Sequence, residues 1–297
     1  MSKKNSPQIS VVMTVWNAEK FLTDSVESIL NQTYNDFEFI IVDDRSSDKS
    51  WDIINAYSRK DSRIKVFRNR KHSGIPYTVY HGIRKSKGKF IAFMDADDIS
   101  TPYRLKKQLN YLVNHAETIA VGGQCLLMNT DGQLIGNRVY PEKHEDIYRY
   151  FYTFNAFHHP TLMIAKNRLP KKFQYYGSDP DITEELNLNF KLLRLGKLAN
   201  LNCEVLISRI RYDSLHRFNI KRTFLLTLYA RIKAVFKYGY KPNLFDVIIT
   251  LAQTFVVLVL PKRLALFIYA RVRNMSIEKE KSPGKTPSTM PSTDYAY

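Results

Sequence analysis

The feature that most restricts the fold of this chain is the alternation of short apolar runs with amphipathic stretches in its N-terminal part. The apolar runs are QISVVMTV, FEFIIVDD, RIKVFRN and KFIAFMDADD, and stretches such as AEKFLTDSVESILNQ and DKSWDIINAYSR separate them. Strands that are apolar along nearly their whole length are buried on both faces, and the stretches between them have the period of a helix. The alternation predicts an α/β fold with helices on both sides of a mostly parallel sheet.

Later segments continue this pattern less regularly. TPYRLKKQLNYLVNH predicts a helix with Pro102 in its first turn, and residues 119–128 and 133–139 predict strands. A helix is predicted over residues 181–195, followed by a strand in CEVLISRIRY. We therefore expect the sheet to become mixed in this part of the chain.

Polar residues follow three of the predicted strands directly, at residues 14–17, 43–46 and 95–98. In open α/β sheets, ligands bind beyond the carboxyl ends of the strands. The three strand ends are therefore expected to line one cleft.

Asp95 and Asp97 stand one residue apart where an apolar strand ends. Burying such carboxylates unpaired would cost several kcal/mol each, so they are expected to face water, a cation or both. Hard oxygen ligands suit Mg²⁺ or Mn²⁺, and diphosphate oxygens commonly complete the shell. A solvated acidic turn is the alternative interpretation, and Asp98 is expected to cap the helix that begins near Thr101 or Pro102.

Charge is concentrated near the C-terminus. The chain has 45 Lys and Arg against 28 Asp and Glu, for a net charge of +17, which indicates an anionic partner. Residues 217–274 contain eleven Lys or Arg and one Asp, which is +10 of that total. Because this excess lies in an apolar segment, an anionic membrane surface is expected as the partner and nucleic acid is not.

The uncharged stretch at residues 247–260 is too short for a bilayer span, which needs about 20 apolar residues. It predicts an interfacial helix or a helix packed on the rest of the chain. We predict a catalytic domain at residues 1–218, a basic helical segment at 219–274 and a disordered tail at 275–297, which is rich in Lys, Pro, Ser and Thr.

Two cysteines outside any CxxC pattern fit a reducing compartment, and the N-terminal segment has no signal-peptide pattern. The expected location is therefore cytoplasmic and peripheral, on the inner face of the cell membrane.

Four segments resemble, in order, segments of the family 2 glycosyltransferases, which are nucleotide-sugar enzymes of the GT-A fold. They are ISVVMTVWNAEKFLTDSVESILNQTYNDFEFIIVDDRSSDKS, GIRKSKGKFIAFMDADDISTPYRLKKQ, HHPTLMIAK and EELNLNFKLLRLGKLANL. The resemblance covers roughly residues 9–211. It implies a GT-A domain, with a Rossmann-like, mixed and mostly parallel sheet flanked by helices, to which the C-terminal segment adds a membrane-associated helical appendage.

The resemblance also implies roles for particular residues. Thr14, Trp16 and Asp44 would contact the nucleotide, with Trp16 packing on the base and Asp44 accepting from it, and Asp43 is the second choice for that acceptor. Asp95 and Asp97 would hold Mn²⁺ or Mg²⁺ on the donor diphosphate. The alternative interpretation of VDDRSSDKS is an Asp and Ser turn that caps a helix.

A general base must take a proton from the acceptor hydroxyl. The family has a Glu-Asp pair one helix-length before a Gly-Lys, and here the aligned residues are Glu184 and Glu185. Glu185 is therefore the first candidate and Glu184 the second, although both could instead be first-turn residues favoured by the helix dipole. The late family histidine has no clear counterpart, and His216 is one substitute.

Together these observations predict an inverting glycosyltransferase of the hexosyltransferase type. It would transfer a sugar from a UDP-sugar to a hydroxyl of a glycan or lipid-linked acceptor in envelope polysaccharide synthesis. Two alternatives remain open at this stage, a noncatalytic nucleotide-sugar-binding protein and a basic nucleic-acid-binding protein.

Overall fold

The computed structural model describes residues 6–176, 183–211, 220–261, 264, 265 and 268. Its N-terminal part alternates strands and helices as predicted. The elements are β1 (Ile9–Val15), α1 (Leu22–Leu30), β2 (Phe37–Asp43), α2 (Ser50–Lys60), β3 (Ile64–Arg68), α3 (Ile75–Lys85) and β4 (Phe90–Asp95).

The following part mixes short strands with helices. The elements are β5 (Ile99–Ser100), α4 (Arg104–Asn114), β6 (Thr118–Met128), β7 (Leu134–Arg138), α5 (His144–Thr153), β8 (Met163–Ile164), α6 (Glu184–Leu193), β9 (Lys197–Arg209), α7 (Ile220–Tyr238) and α8 (Leu244–Val259). The strands form one nine-stranded sheet in the order β3-β2-β1-β4-β8-β6-β9-β5, with β7 paired to β6. The sheet is parallel among its first four strands, and antiparallel pairs appear from β8 onward, so the predicted mixed α/β sheet is confirmed.

Strand register places the predicted cleft residues side by side. β1 lies between β2 and β4, in parallel with both. Thr14 is opposite Asp95 on one side, and Val15 is opposite Asp43 on the other. Because the carboxyl ends of parallel strands meet at one edge, the polar residues that follow these strands share that edge.

The sheet separates two apolar cores, and the alternation of side chains along a strand assigns residues to them. Val11 and Met13 belong to the core covered by α1, α2 and α4, whereas Val12 belongs to the core covered by α3, α5, α6 and α7. Helix α3 lies very close to β1 at Gly82, where a Cβ atom would stand 2.5 Å from Val12 Cγ1. A glycine at this point allows the helix to approach the sheet that carries the cleft.

Three details differ from the sequence-based expectations. Helix α4 begins at Arg104, later than predicted, because the Thr101 amide donates to the Val205 carbonyl of β9 at 3.1 Å. The expectation that Asp98 caps this helix is wrong, since its carboxylate accepts from the Arg209 amide at 2.9 Å. Helix α5 is an element that the sequence analysis did not anticipate.

The C-terminal helices α7 and α8 pack on the rest of the chain through α5 and α6. Ala230 and Ala234 of α7 are fully buried, and Arg231 donates to the Thr153 carbonyl at 2.6 Å. After α7, the ring of Tyr240 stacks on Tyr148 at 4.5 Å. Across the described ranges, no helix combines the length and apolarity needed to cross a bilayer.

The domain limits at residues 218 and 274 stay predictions. The predicted tail at residues 275–297 and the substitute histidine His216 lie outside the described residues.

Candidate active site

One cleft of about 560 Å³ opens at the carboxyl edge of β1, β2 and β4. Seven of the eight residues predicted from the sequence to form the site line it. They are Thr14, Trp16, Asp44, Asp95, Asp97, Glu184 and Glu185. The volume lies in the usual range for small-molecule sites.

Two residues in the left-handed backbone region shape the turns at this edge. Asn17 follows β1 with a φ of 49°, and Arg45 follows β2 with a φ of 64°. The two turns are joined, because the Asn17 amide donates to Ser46 Oγ at 3.0 Å and the Ser47 amide donates to Asn17 Oδ1 at 2.8 Å. Such conformations cost about 1 kcal/mol or more each and persist where the surroundings hold them, here at the entrance to the cleft.

At one end of the cleft, an aromatic pair lies beside a buried carboxylate. The indole of Trp16, 53% exposed, stacks on the ring of His72 with centroids 4.5 Å apart and planes at 27°. Nδ1 of His72 lies 2.9 Å from Asp44 Oδ2. An indole face next to a carboxylate offers a heterocyclic base both a stacking surface and a hydrogen-bond acceptor.

The carboxylate of Asp44 also organises the loop between β3 and α3. Oδ1 accepts from Asn69 Nδ2 at 2.7 Å and from the Ser73 amide at 2.9 Å, and Oδ2 accepts from the Gly74 amide at 2.8 Å. Asp44 is only 3% exposed. It therefore fixes the first turn of α3 in addition to facing the cleft.

Asp43, the second-choice nucleotide residue, does not line the cleft. It is fully buried, pairs with Arg68 at 2.8 Å and accepts from the Ser46 amide at 3.2 Å. These contacts match the alternative interpretation of this segment as an Asp and Ser turn.

At the centre of the cleft, acidic side chains lie close together. Burial, followed by the negative charges of Asp97 and Glu185, raises the pKa of Asp95 to about 7. Asp97 pairs with Arg211 at 3.4 Å, and Arg211 also lines the cleft. This concentration of carboxylates favours a cation between them.

A buried arginine lies beneath the acidic residues. Arg104 is 1% exposed and donates to the Phe93 carbonyl at 2.8 Å. Burial lowers its pKa to about 10, which the charges of Asp98 and Asp95 partly oppose, so the guanidinium stays protonated at neutral pH. Its positive charge partly offsets the carboxylates above it.

The acidic pair at the start of α6 also lines the cleft. Glu184 and Glu185 open α6, and Glu184 is 3% exposed, with Asn187 Nδ2 at 3.4 Å from its Oε1. Burial raises the pKa of Glu185 to about 7. A carboxyl group with this pKa can take up and release a proton near neutral pH.

A pair of rings that the predicted site did not include, Tyr176 and His159, lies close to these acidic side chains. Tyr176 lines the cleft, and its hydroxyl lies 3.2 Å from His159 Nε2. His159 stacks on Phe93 at 4.5 Å, and burial lowers its pKa to about 4, so the imidazole is neutral. Its neighbour His158 contacts β9 instead. Nε2 of His158 lies 2.9 Å from Ser208 Oγ.

Sequence reasoning missed His72 and Tyr176 as cleft residues. His72 follows β3, so the rule that pointed to the other strand ends could have identified it. Tyr176 precedes α6 in a segment without a strong periodic pattern, and no local signal marked it.

A metal site built only from protein ligands is not found. Among the described residues, no group of three or more His, Cys, Asp or Glu side chains could hold a metal ion. Asp95 and Asp97 nevertheless fit a divalent cation whose remaining ligands are water and phosphate oxygens, which is how Mg²⁺ is usually bound.

The fold and the cleft define an α/β protein with a small-molecule site at the carboxyl edge of its sheet, and comparisons with known proteins identify the family. The family model described as glycosyl transferase family 2 matches residues 10–172, more than half of the 297 residues. The chain therefore belongs to glycosyl transferase family 2, as the resemblance implied.

Curated relatives agree with this assignment. The chain is 35% identical over 179 residues to the uncharacterized glycosyltransferase MJ1057 of Methanocaldococcus jannaschii, covering 59% of this chain and 61% of that protein. It is 35% identical over 181 residues to the O-antigen biosynthesis glycosyltransferase WbnJ of Escherichia coli, covering 60% of this chain and 69% of that protein. The match thus spans less than two thirds of the archaeal relative.

Solved structures share the fold. S. aureus TarS 1-349 in complex with UDP-GlcNAc aligns with a TM-score of 0.60 at 18% identity, covering 90% of this chain and 88% of that chain. The mannosyltransferase PcManGT from Pyrobaculum calidifontis, in complex with GDP-Man and Mn²⁺, aligns with a TM-score of 0.58 at 13% identity, covering 93% and 82%. Together with the strand order, these alignments confirm the predicted GT-A fold class.

Proposed function

We propose that this protein transfers a sugar, with inversion, from a UDP-sugar to a hydroxyl of a glycan or lipid-linked acceptor in envelope polysaccharide synthesis. The observation that carries the proposal is the cleft of about 560 Å³, in which an aromatic platform, a carboxylate pair and the half-buried Glu185 lie together. These are the parts that donor binding, diphosphate departure and proton removal need.

The nucleotide would bind at the end of the cleft formed by Thr14, Trp16 and Asp44. The indole offers a stacking face, and the carboxylate offers an acceptor for an imide N–H. The structures of TarS with UDP-GlcNAc and of PcManGT with GDP-Man support a nucleotide-sugar donor. Within this class of donor, we propose UDP as the nucleotide.

Asp95 and Asp97 would hold Mn²⁺ or Mg²⁺ against the donor diphosphate. Burial and then the charge of Asp97 raise the pKa of Asp95, and both effects favour a cation beside the two carboxylates. The presence of Mn²⁺ in the PcManGT complex supports this assignment. When bound, the cation supplies charge neutralisation for the departing nucleoside diphosphate.

Glu185 would act as the general base, with Glu184 as the second candidate. The acceptor hydroxyl oxygen forms a bond to the anomeric carbon while the bond from that carbon to the diphosphate oxygen breaks. The hydroxyl proton passes to the carboxylate of Glu185, and UDP leaves with the electron pair. A pKa of about 7 suits this task, since such a group is substantially ionised at neutral pH and still basic.

The acceptor class follows from the surface of the C-terminal helices. Helix α7 exposes Leu225, Tyr229, Ile232 and Phe236, and helix α8 exposes Leu244, Ile248, Leu251, Phe255 and Leu258. Both sets recur at helical spacing, so each forms an apolar stripe. We call the two stripes the apolar face.

Basic side chains lie close to the apolar face along the chain. Lys221, Arg222, Lys233, Lys237 and Lys241 belong to residues 220–261, which contain one acidic residue, Asp246. An apolar stripe flanked by cations suits the boundary of an anionic membrane leaflet, where each Lys or Arg contributes about 1 kcal/mol. We infer that this face holds the enzyme on the inner face of the cell membrane, close to a lipid-linked acceptor. The name of the relative WbnJ, with its role in O-antigen biosynthesis, supports an envelope glycan.

The test of the catalytic proposal is a screen of nucleotide-sugars for nucleoside diphosphate release with Mn²⁺ and candidate lipid acceptors. The expected result is release of UDP by the wild-type protein and none by Asp97→Asn, which loses one of the two cation ligands. Asp131→Asn is the matched control, because Asp131 is exposed in the turn between β6 and β7. UDP binding without release under any condition would favour the noncatalytic alternative.

The test of the membrane proposal is sedimentation with anionic liposomes at low salt. Leu251→Ser combined with Phe255→Ser should leave the protein in the supernatant, whereas the wild-type protein pellets. Val113→Ser combined with Val139→Ser is the control, since both residues are exposed apolar side chains outside the apolar face. A wild-type protein that ignores such liposomes, or a double variant that pellets equally, would rule out this assignment.

A further inference from the structure

His72 occupies an unusual position for an exposed histidine. It follows β3 in the loop that leads to α3, and its side chain is 53% exposed. Its ring nevertheless stacks on Trp16 at 4.5 Å, and its Nδ1 lies 2.9 Å from Asp44 Oδ2 and 3.4 Å from the Asp44 carbonyl oxygen. The ring therefore lies inside the nucleotide end of the cleft, which it also lines.

The contacts of Asp44 show which of its partners can be exchanged. A carboxylate offers about four acceptor positions. Asn69, 3% exposed, and the amides of Ser73 and Gly74 take three of them and belong to the fixed start of α3. The ring nitrogen of His72 occupies the remaining acceptor position of Asp44. His72 is the most exposed of these partners. A ligand that binds to Asp44 can displace His72 without breaking the loop.

The two contacts of His72 are those that we assign to the nucleobase. A flat ring lies on the indole of Trp16, and a ring nitrogen faces the carboxylate of Asp44. Uracil bound by the same two residues would place its own ring and its imide N–H there, and two rings cannot fill one space. We propose that His72 occupies the nucleobase subsite of the empty enzyme and that the donor must displace it. This inference rests on the proposed function.

Displacement of His72 lowers the affinity for every nucleotide whose base occupies this subsite. A base with an N–H directed at Asp44 restores the contact that the imidazole gives up. A base that presents a ring-nitrogen lone pair there, as cytosine does, leaves the buried carboxylate facing an acceptor after losing His72. Displacement of the histidine thus weakens binding of every such nucleotide by the same factor, and Asp44 sets the preference among the bases.

The experiment compares calorimetric affinities for UDP, CDP and inorganic pyrophosphate, each with Mn²⁺, in wild-type protein and His72→Ala. Removing the stack on Trp16 and the contact with Asp44 should tighten UDP binding about 5-fold or more, without changing pyrophosphate binding. The preference for UDP over CDP should stay the same in the variant, because the cost of displacing His72 is common to both nucleotides. His115→Ala is the control, because His115 stacks on Tyr111 at 4.1 Å outside the cleft.

Weaker or unchanged UDP binding in His72→Ala would overturn the inference while leaving the proposed function in place. If neither protein binds UDP or GDP at millimolar concentration, the proposed function itself fails. A second measurement uses Trp51→Phe, which leaves Trp16 as the one tryptophan of the chain. In that background, UDP and His72→Ala should each change Trp16 fluorescence. UDP should cause a larger change once His72 is absent, because uracil then covers a free indole face and no longer replaces a stacked imidazole. An equal change with and without His72 would contradict displacement.

Discussion

Replacing Glu185 by glutamine should separate the catalytic role of this residue from its effect on stability. Burial raises its pKa from the usual 4.5 to about 7, so the folded protein disfavours the ionised carboxylate. A shift of that size corresponds to about 3 kcal/mol, which partial solvent access reduces to about 1 to 3 kcal/mol. Glutamine has a similar shape and carries no charge, so the variant does not have this cost.

The pH window follows from the direction of the shift. Below pH 4.5 the carboxyl group is protonated in both the folded and the unfolded state, and its ionisation contributes nothing to the difference between the proteins. Between pH 4.5 and 7 the folded state binds more protons than the unfolded state, so wild-type stability falls as pH rises. Above pH 7 the loss is complete. Glu185→Gln should therefore match the wild type at pH 4.5 and exceed it by about 1 to 3 kcal/mol at pH 8.

Two assays test this reasoning. Urea unfolding at pH 4.5 and pH 8 in a chelating buffer gives the stability difference, and UDP release gives the rate, which should fall about 100-fold or more without the base. Glu145→Gln is the matched control, because Glu145 is also a first-turn glutamate, in α5, and is exposed. A variant that retains near-wild-type turnover would move the base to Glu184 or elsewhere. A variant that is destabilised equally at both pH values would refute the burial argument.

Three further predictions concern the same cleft. Trp16→Ala should weaken UDP binding about 5- to 100-fold through loss of the stacking face, as measured by calorimetry, and pyrophosphate binding should stay unchanged. The pH profile of kcat/KM should rise through about pH 7 as Glu185 ionises, and this rise should be absent from the residual activity of Glu185→Gln. Arg104→Met should lower the free energy of unfolding by about 3 kcal/mol or more in urea, because it removes the buried cation beneath Asp95 and Asp98; a stability unchanged at pH 8 would show that these carboxylates do not need it.

The sequence by itself determined the layered sheet and the edge where the site lies. Apolar strands such as FEFIIVD are buried at every position, so the apolar pattern of the sequence is enough to locate them. The spacing of Asp95 and Asp97 after such a strand placed them at the carboxyl edge, because that position depends only on where the strand ends. The resemblance to family 2 glycosyltransferases added the acidic pair of α6, which no local pattern links to the strand ends.

Only the tertiary structure decided what each side chain contacts within the cleft. Asp43 and Asp44 are neighbours in sequence, yet one pairs with Arg68 inside the protein and the other faces the cleft, since successive residues point in opposite directions. The stack of His72 on Trp16 joins residues that follow different strands, and Tyr176 reaches the site from a segment without a periodic signal. Such contacts depend on how whole elements pack, which local periodicity does not encode. Periodicity records which residues are buried, whereas the partner of a buried or half-buried group is set by the register and packing of elements distant in the chain.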